Sequence, residues 1–501
     1  MSNLDKIIKE SVPDGYYVGG ALRDALMRRY SGDIDLAMPR EKVKPCALKL
    51  ASKLKATAFE MDKEFGVWRV SAKNGLQIDL CAFVGQEIKT DLKRRDFTVN
   101  ALAYPVNSPI KISLKKEGKK IFIKLSSLKK DGIIDLNGGI ADIKNKVVRA
   151  NGPKIFQEDP LRLLRAFRTA CELNFKIEDK TFSLIKKYSA LAFKPAGERI
   201  QEELRRIFIA PNTAAVLRKM DESGVLCSLI PELAKQKSCA LCYYGDGGVF
   251  THTMKVVERI EFLLNNLKRA FPKYHTKLKA YARDISLYKM AALLHDIAKP
   301  ATAKEINGRL RFFHHEERGS EMAEKLLKKL KFSSDNQKLI CKMIYYHLRP
   351  SNLASNEIVT DKGIYKFFKE LGQAGIPMLL LCWADYTSYV NPRQIPTLMK
   401  KSVLPVMTME EAKKKENVGK TLRHMQMLNF LFGKYFNEEK RFTAPVRLID
   451  GRDIMKTLKI APGPKVGEIM EQVILEQVEG KIKTKEDALR FILENKSRLL
   501  G

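Results

Sequence analysis

The chain has 501 residues, which is too long for a single hydrophobic core and predicts three or four modules of roughly 150 residues each. Its 91 lysines and arginines against 58 acidic residues give a net charge of +33, which favours a polyanionic partner, nucleic acid above all. The eight cysteines are too sparse for a disulfide scaffold. No apolar run reaches the length of a membrane span and the N-terminus lacks a signal-peptide pattern, so we expect a cytoplasmic protein without membrane contact.

A phosphate cradle is predicted near the start of the chain, in the stretch 17–38. A hydrophobic run ends there at Gly19 and Gly20, and a helix is expected to follow. Because glycine has no side chain, backbone N–H groups at this position can approach a phosphate closely. Arg23 follows within the predicted helix, where its guanidinium would add positive charge.

Two aspartates come directly after the cradle. Asp33 and Asp35 alternate with Ile34 and Leu36, so in a strand both carboxylates lie on one face and both apolar side chains face the core. Carboxylates one pleat apart suit Mg²⁺, which prefers oxygen ligands and shares them with substrate phosphates. An exposed strand end is the alternative for the two aspartates taken alone.

The ordered set of glycines, arginine and aspartates is similar to a known signature. It resembles the nucleotidyltransferase signature of the class II tRNA nucleotidyltransferase and bacterial poly(A) polymerase family, in Gly19, Gly20, Arg23, Asp24, Asp33 and Asp35. The resemblance implies that the glycines and the arginine hold a nucleoside triphosphate. It also implies that Asp33 and Asp35 hold the catalytic Mg²⁺ ions.

A third carboxylate is expected on the same sheet. The segment 76–81 reads as a strand in which Ile78 and Leu80 share one face, so that Asp79 points to the other. Asp79 would there join the first two carboxylates as a catalytic residue. The alternative is an ordinary outward-facing aspartate on a half-buried strand.

The segment 93–102, KRRDFTVNAL, matches a further motif of the same family. In relatives this motif joins head to neck and contacts the nucleotide. The resemblance therefore implies nucleotide-binding roles for Arg95, Asp96 and Asn100. From the residues alone, the segment is a charged turn that leads into a helix.

A basic hairpin is predicted in the segment 111–130. Lysines and apolar residues alternate there on both sides of a Lys-Glu-Gly-Lys-Lys turn. The hairpin would either grip tRNA phosphates or form a solvated surface.

The segment 158–168 predicts a helix start, with Asp159 at the N-cap and Pro160 at the first helical position. Arg162 would lie close to Asp159 at the open end of this helix. A carboxylate accepts from a base amino group and a guanidinium donates to ring nitrogens or carbonyl oxygens, so the pair can read a nucleobase edge. Alternatively, Asp159 only caps the helix and Arg162 only pairs with it. The Glu-Asp-x-x-Arg resemblance implies that Asp159, Arg162 and Arg165 form a protein template for the incoming nucleotide.

Most of the seven histidines fall between about 245 and 392, and they predict a second metal site. Such a concentration, with an adjacent His-Asp pair and a later aspartate, is hard to explain as satisfied core residues. The pattern resembles the HD superfamily of metal-dependent phosphohydrolases, and the implied ligands are His252, His295, Asp296 and Asp385. His315 and His347 match the extra ligands of two-metal members, and Lys299 matches a phosphate contact. The ligand set suits a divalent transition metal or Mg²⁺, and a structural or vestigial site is the alternative.

With its motifs in order along nearly the whole chain, the protein is identified as a member of this family. The resemblance implies an α+β fold, in which an N-terminal palm-like mixed sheet precedes an all-helical neck, HD body and tail. The expected domains are 1–146 (nucleotidyltransferase head), 147–240 (helical neck with base-templating and RNA-binding motifs), 241–400 (HD domain) and 401–501 (helical tail).

The expected activity is addition of the 3′-terminal CCA, or part of it, to tRNA from CTP and ATP, with Mg²⁺ in the head. Three alternatives stay open: a poly(A) polymerase, a phosphodiesterase or phosphatase that works mainly through the HD domain, and an RNA-binding module with inactive sites.

Overall fold

The structure is a computed structural model that describes residues 4–63, 66–85, 87–118, 120–355 and 359–500, with 416 and 417 described by backbone alone. It separates into two compact units, Met1–Ile207 with Lys219–Leu229 and Phe208–Arg218 with Ile230–Gly501. The boundary falls inside the range predicted for the neck, so the division into four domains stays a prediction. Lys119, in the turn of the predicted hairpin, lies outside the described residues.

A seven-stranded mixed sheet forms the centre of the head region. The strands of this region are β1 (Tyr16–Val18), β2 (Ile34–Met38), β3 (Thr57–Asp62), β4 (Val67–Ser71), β5 (Gln77–Ala82), β6 (Leu102–Pro105), β7 (Lys111–Glu117), β8 (Lys120–Ser126) and β9 (Ile134–Asp135). Their order across the sheet is β3-β4-β5-β2-β1-β6-β9, while β7 and β8 form a separate hairpin. Strands β2 and β5 run parallel, and the other neighbouring pairs of this sheet run antiparallel. The predicted mixed sheet is confirmed.

The alternation predicted for β2 is also present. Ile34 and Leu36 are fully buried in the head core, whereas Asp35 between them is half-buried. Strand β5 repeats the pattern with Ile78 and Leu80 buried. The period of two thus turns the aspartates of both strands to the same side of the sheet.

In the described part of the head region, the α-helices are α1 (Leu4–Ser11), α2 (Gly19–Leu26), α3 (Arg40–Leu54), α4 (Ile88–Arg94) and α5 (Gly139–Asn145). Helix α3 buries Val43, Ala47 and Leu50, which recur at helical spacing, against the core of the sheet. Helix α2 begins at the two glycines and packs beside β1 and β2. The cradle and the carboxylates therefore belong to adjoining elements.

The neck region is helical apart from one short parallel strand pair, β10 (Val147–Val148) with β11 (Lys176–Ile177). Its helices are α6 (Ile155–Glu158), α7 (Arg162–Leu173), α8 (Asp179–Tyr188), α9 (Gly197–Ile209), α10 (Thr213–Glu222), α11 (Val225–Leu229) and α12 (Glu232–Gln236).

The body is helical as predicted, with one added hairpin. Its elements are α13 (Leu241–Tyr244), α14 (Gly248–Asn265), α15 (Leu267–Ala270), α16 (His275–Tyr281), α17 (Ile285–Leu294), α18 (Lys299–Thr302), β12 (Ala303–Ile306), β13 (Arg309–Phe312), α19 (His315–Lys329), α20 (Ser334–Tyr346), α21 (Arg349–Ala354), α22 (Asp361–Leu371), α23 (Gly375–Thr387) and α24 (Ile395–Lys401). Asn307 and Gly308 join β12 to β13 with positive φ at both residues. An Asn-Gly pair between two strands favours this two-residue turn.

Helices α17 and α23 form the apolar centre of the body. All thirteen residues of α23 are buried, as are those of α17 from Ser286 to Leu294. A helix that is apolar on all sides is stable only inside a protein. Among the described residues, no helix has both the length and the apolar character that crossing a bilayer requires. The His-Asp pair follows α17 directly and Asp385 lies near the end of α23, so the rigid core positions both.

The tail is helical and has a small core of its own. Its helices are α25 (Met409–Lys413), α26 (Glu416–Asn437), α27 (Glu439–Phe442), α28 (Gly451–Leu458), α29 (Pro464–Val478), α30 (Lys485–Glu494) and α31 (Lys496–Leu500).

Candidate active site and metal centre

Three carboxylates converge on one side of the head sheet. Asp33, Asp35 and Asp79 each place an oxygen within 4.8 Å of the other two. The parallel register of β2 and β5 sets Asp35 directly beside Asp79, and Asp33 lies just before β2. An oxygen-only ligand set of this kind fits Mg²⁺. The three predicted catalytic residues thus lie together and can hold a divalent cation.

The crowding of these carboxylates shows in their electrostatics. Burial and the neighbouring charges of Asp33 and Asp79 together raise the pKa of Asp35 to about 7. Without a cation, Asp35 therefore carries a proton in about half of the molecules at pH 7. A divalent ion would replace that proton, which is a second reason why the residues fit a metal.

The position of Gly19 excludes any residue with a Cβ atom. Its φ of +66° favours glycine, and a Cβ there would lie 2.7 Å from Oδ2 of Asp35. The backbone N–H of Gly20 donates a hydrogen bond to the same carboxylate. The glycine pair therefore lets the start of α2 approach the carboxylate cluster.

Two of the predicted nucleotide-binding residues are linked by a hydrogen bond. Nη1 of Arg23 donates to Oδ1 of Asn100 at 2.8 Å, and its Nε and Nη2 donate to Asp24 at 3.0 and 2.8 Å. Asn100 in turn donates to Asp96 at 3.2 Å. The cradle and the segment 93–102 thus form one connected polar network.

Asp96 is a buried carboxylate that is paired with Arg165, at 2.7 Å between Oδ2 and Nη2. Burial alone would raise the pKa of Asp96, but Arg165, Asn100 and the N–H of Phe97 outweigh it and lower that pKa. Arg95 donates from Nε to Asp91 at 2.9 Å. The charges of this segment are therefore held by partners within the unit.

The side chains of Asp159 and Arg162 do not pair with each other, although Arg162 N–H donates to the backbone carbonyl of Asp159 at 3.0 Å. The backbone at Asp159 is extended, and its carboxylate accepts from Leu161 N at 3.2 Å and from Nη2 of Arg199 at 2.9 Å. Helix α7 begins at Arg162, two residues later than predicted, and residues 160 and 161 form a turn between α6 and α7. The guanidinium of Arg162 donates to the carbonyl of Arg94 at 2.8 Å and to Glu158 at 3.2 Å.

A cleft of about 720 Å³ joins these groups. Its walls include all nine predicted nucleotide-binding residues, Gly19, Gly20, Arg23, Arg95, Asp96, Asn100, Asp159, Arg162 and Arg165, together with Asp33 and Asp35. Asp79 lies behind the cleft wall and faces Arg69. The cleft is of a size that a nucleotide can enter, and both carboxylates and arginines line it.

The sequence did not point to two residues that hold predicted site residues in place. Arg69 donates two hydrogen bonds to Asp79, and Arg199 holds Asp159. The pairing of Arg199 with Asp159 spans 40 residues and has no local signal. Arg69 lies on β4, and only the register of β4 with β5 reveals its partner.

The body brings its six predicted ligands into two adjoining groups. His252, His295 and Asp385 form one, and Asp296, His315 and His347 form the other. Asp296 lies between the two: its Oδ2 is 3.1 Å from Nε2 of His295, and its Oδ1 is 3.5 Å from Nε2 of His315. One carboxylate thus faces ligands of both groups, as a bridge between two ions requires.

The histidine rings are oriented with Nε2 towards the centre. Nδ1 of His295, His315 and His347 lies 2.8, 2.7 and 2.6 Å from a backbone carbonyl, to which an Nδ1–H donates. Nδ1 of His252 faces the hydroxyl of Ser388 at 3.1 Å. Such outer hydrogen bonds fix the tautomer that leaves Nε2 free for a metal.

Several polar atoms at this centre are buried without a hydrogen-bond partner. They include Oδ1 of Asp296, Oδ1 of Asp385 and Nε2 of His315. Burial and the charge of His295 lower the pKa of His347 to about 4, so its ring is neutral at physiological pH. Buried acceptors without donors are rare in proteins, and divalent ions would satisfy them.

Lys299 lies beside this centre, with Nζ 2.7 Å from Oδ2 of Asp296 and 2.8 Å from the hydroxyl of Tyr244. Burial alone would lower its pKa, but Asp296 outweighs this and raises it, so the ammonium stays charged. An open cleft of about 570 Å³ reaches His252 and Asp385 from the surface. A phosphate that entered this cleft would meet both ligands and further basic side chains, among them Lys255 and Lys420.

Three family models match the chain in the order that these sites predict. They describe a poly A polymerase head domain (residues 15–149), a probable RNA- and SrmB-binding site of polymerase A (174–237) and an HD domain (249–389). The fold and the paired sites thus define a nucleotidyltransferase with an attached HD domain. The chain belongs to the poly(A) polymerase and tRNA nucleotidyltransferase family.

Curated relatives match over nearly the full length. The chain is 27% identical over 489 residues to the A-adding tRNA nucleotidyltransferase of Deinococcus radiodurans, covering 96% of this chain and 95% of the relative. It is 24% identical to the CC-adding tRNA nucleotidyltransferase of Synechocystis sp., covering 96% and 94%. A solved complex of a CCA-adding enzyme with ATP has the same fold, with a TM-score of 0.62, 20% identity and coverage of 98% and 94%.

Proposed function

We propose that this protein adds nucleotides of the 3′-terminal CCA sequence to tRNA, with CTP and ATP as donors and pyrophosphate as the product. The observation that carries the proposal is the cleft in which Asp33 and Asp35 face the glycine cradle and the arginine-rich wall. Family membership and full-length tRNA nucleotidyltransferase relatives support the same reaction.

Different residues of the cleft have different roles in the proposed reaction. Asp33 and Asp35, with Asp79 behind them, would hold Mg²⁺. Bound there, Mg²⁺ would favour ionisation of the RNA 3′-hydroxyl and neutralise charge on the α-phosphate and the leaving pyrophosphate. The cradle and Arg23 would hold the triphosphate in line for attack. Catalysis then consists mainly of positioning and charge neutralisation.

Base choice is assigned to Asp159 and Arg162. The carboxylate would accept from the exocyclic amino group that cytosine and adenine share, and the guanidinium would donate to a ring nitrogen or carbonyl. Arg199 holds the first group, and the carbonyl of Arg94 with Glu158 holds the second. Because each side chain has its own partner, the two are separately oriented before a nucleotide arrives.

The test is extension of tRNA that lacks CCA, with Mg²⁺ and CTP alone, ATP alone or both, resolved at single-nucleotide length. Exactly three additions that need both nucleotides would identify full CCA addition, and two from CTP alone with no further ATP step would identify CC addition. One addition from ATP, on tRNA that already ends in CC, would identify A addition. An unlimited ATP ladder would show a poly(A) polymerase instead.

Two variants make the test specific to the cleft. Asp33→Asn should abolish incorporation while RNA binding persists, because the RNA is not held by this carboxylate. Asp131→Asn, an equal charge change at an exposed residue elsewhere in the head, should leave incorporation unchanged. Incorporation by the Asp33→Asn protein at the wild-type rate would contradict the proposal.

A second candidate activity is metal-dependent hydrolysis of a phosphoester in the body. It is favoured by the bridging position of Asp296 and by the unpaired buried acceptors around it. Divalent ions there would activate water and polarise a phosphoryl oxygen. The test is hydrolysis of a cyclic or terminal phosphate with Mn²⁺, Ni²⁺, Co²⁺ or Mg²⁺. Loss of this activity in His295→Ala with nucleotide addition retained would assign it to the body, whereas no hydrolysis with any ion would leave a structural centre.

A further inference from the structure

The hairpin β7–β8 is an addition to the head sheet. Strands β6 and β9, which flank it in the chain, pair directly with each other through Leu102 opposite Asp135 and Ala103 opposite Ile134. The sheet is therefore continuous without the hairpin, which forms a two-stranded sheet by itself. The hairpin is therefore not needed to complete the sheet, and its role lies elsewhere.

The register of the hairpin separates its side chains into two faces. Lys115 lies opposite Phe122 and Ser113 opposite Lys124, and residues directly opposite in an antiparallel pair share a face. One face packs into the head core through Ile112, Leu114, Ile121, Ile123 and Leu125. The other, here named the outer face, consists of Lys111, Ser113, Lys115, Lys120, Phe122 and Lys124, with Glu117 and Ser126 at its ends.

The hairpin is attached to the loop that carries Asp33. Ser31 and Ile123 exchange two backbone hydrogen bonds, of 2.7 and 2.8 Å. The ring of Tyr30, which is 42% exposed, lies near two lysines of the outer face: Nζ of Lys115 and of Lys124 are 5.9 and 5.8 Å from its centroid. Tyr30 thus continues the outer face towards the active-site cleft.

Tyr30 also forms part of the wall of the cleft, together with Asp33. Asp33 is three positions after Tyr30, and an extended chain spans at most about 3.6 Å per residue, so their Cα atoms lie within about 11 Å. A molecule bound across Tyr30 is therefore close to the carboxylates where the RNA 3′-hydroxyl must react.

The chemistry of the outer face matches an RNA strand better than a free nucleotide. A triphosphate needs donors that converge in a cavity, and the cleft supplies them. The outer face is instead an open row of lysines with two aromatic rings, Phe122 and Tyr30. Lysines neutralise successive phosphates and aromatic rings stack on bases, which is the usual composition of a single-strand binding surface.

We propose that the outer face and Tyr30 bind the RNA substrate next to its 3′ end, with the lysines on phosphates and Tyr30 against a base. The proposal rests on the proposed nucleotide addition and specifies which surface guides the acceptor strand to Asp33. The inserted hairpin then has a defined role: it extends the cleft along the strand that is being lengthened.

The test compares two triple variants of the full chain with equal loss of charge. The outer-face variant is Lys111→Gln, Lys115→Gln and Lys124→Gln. The control variant is Lys116→Gln, Lys129→Gln and Lys130→Gln, whose exposed lysines belong to the same segment but not to the outer face. Binding of tRNA without CCA is measured by fluorescence anisotropy at several salt concentrations, and KM is measured for tRNA and for CTP.

The outer-face variant should bind tRNA about tenfold more weakly. Its negative slope of log K against log salt should become shallower by about 2, or roughly 0.7 for each lost phosphate contact. Its KM for tRNA should rise while its KM for CTP stays unchanged. The control variant should keep the wild-type slope. Equal slopes for the two variants would overturn the proposal. If the triple variant has a lower melting temperature, Lys124→Gln alone should still make the slope shallower by about 0.7.

Tyr30 is tested separately from the lysines. Tyr30→Ala should weaken tRNA binding between about fivefold and a hundredfold, the range for one lost stacked base, while Tyr30→Phe keeps the ring and the affinity. Equal affinity of both variants would overturn the stacking role. A wild-type chain that binds tRNA but adds no nucleotide would overturn the proposed function instead, and the slopes would still show whether the outer face binds RNA.

Discussion

Arg69 and Asp79 face each other on β4 and β5 and share two hydrogen bonds of 2.7 Å, from Nε and Nη2 of the arginine to the two carboxylate oxygens. Such a bidentate pair fixes the carboxylate and places a positive charge behind the cluster of Asp33 and Asp35. Arg69 therefore offsets part of the negative charge that Mg²⁺ meets at the three aspartates. Arg69 contacts neither of the first two carboxylates through a hydrogen bond, so it acts through Asp79.

This pairing predicts opposite effects for the two partners. Asp79→Asn leaves Arg69 without its counter-charge, so the Mg²⁺ concentration for half-maximal nucleotide addition should rise by roughly tenfold or more. Arg69→Gln removes the positive charge and should lower that concentration. A titration of activity against Mg²⁺ for both variants checks the prediction. Shifts in the same direction would show that the pair only supports the strands.

Base choice should depend on Arg162 and on the residue that holds Asp159. Arg162→Ala should reduce the preference for CTP and ATP over UTP and GTP by between about fivefold and a hundredfold, because a two-bond base contact discriminates by roughly 1–3 kcal/mol. Arg199→Ala should have a smaller effect in the same direction, since it frees Asp159 without removing it. The measurement is kcat/KM for each nucleotide, and Mg²⁺ dependence should not change.

Arg205→Ala is the matched control for Arg199→Ala. Arg205 lies on the same helix and pairs locally with Glu202, on an exposed part of the surface. Its loss should leave nucleotide preference unchanged. An unchanged preference in Arg162→Ala would refute the template role of the pair.

The positions of the carboxylates could be predicted because they depend on short-range rules. The alternation of Asp33 and Asp35 with Ile34 and Leu36 defines one face of a strand, and Asp79 follows the same rule. Their convergence also needs β2 and β5 to be neighbours, which alternation within a strand does not determine and which the register of the two strands shows.

The partners of these residues could not be predicted, because they come from distant parts of the chain. Arg199 reaches Asp159 across 40 residues, and Ser388 reaches His252 across 136. No local pattern records such pairs, since they depend on how helices pack. The start of α7 was predicted two residues too early. Asp159, which was expected as its N-cap, is instead the residue that ends the short helix α6. The Asn307-Gly308 turn was not predicted, although an Asn-Gly pair between two strands favours a hairpin.

Uptake of Mg²⁺ by the head should release protons. The pKa of Asp35 is raised to about 7, so the metal-free carboxyl is largely protonated below that pH and must ionise to bind a cation. Affinity should therefore rise with pH up to about 7 and level off above it. Calorimetric titration in two buffers of different ionisation enthalpy should count nearly one proton per ion at pH 6 and almost none at pH 8.5.

The proton count is best measured in an Asp296→Ala background, in which the body should retain no ion, so that only the head takes up Mg²⁺. In that background Asp35→Asn should release no proton at either pH. Proton release that persists without Asp35 would assign the raised pKa to a different group.

Metal content should distinguish the two ligand groups of the body. The wild-type chain, reconstituted with Mn²⁺ and desalted, should retain two ions, because Asp296 serves both groups. His315→Ala removes a ligand of one group only and should retain one ion, whereas Asp296→Ala should retain none. His314→Ala is the matched control, since this neighbour of His315 has an exposed side chain and should not change the count. Two ions retained by the Asp296→Ala protein would show that the carboxylate does not bridge them.

Chelation of the wild type should lower its melting temperature, because bound ions stabilise the folded state and their loss leaves the buried acceptors unpaired.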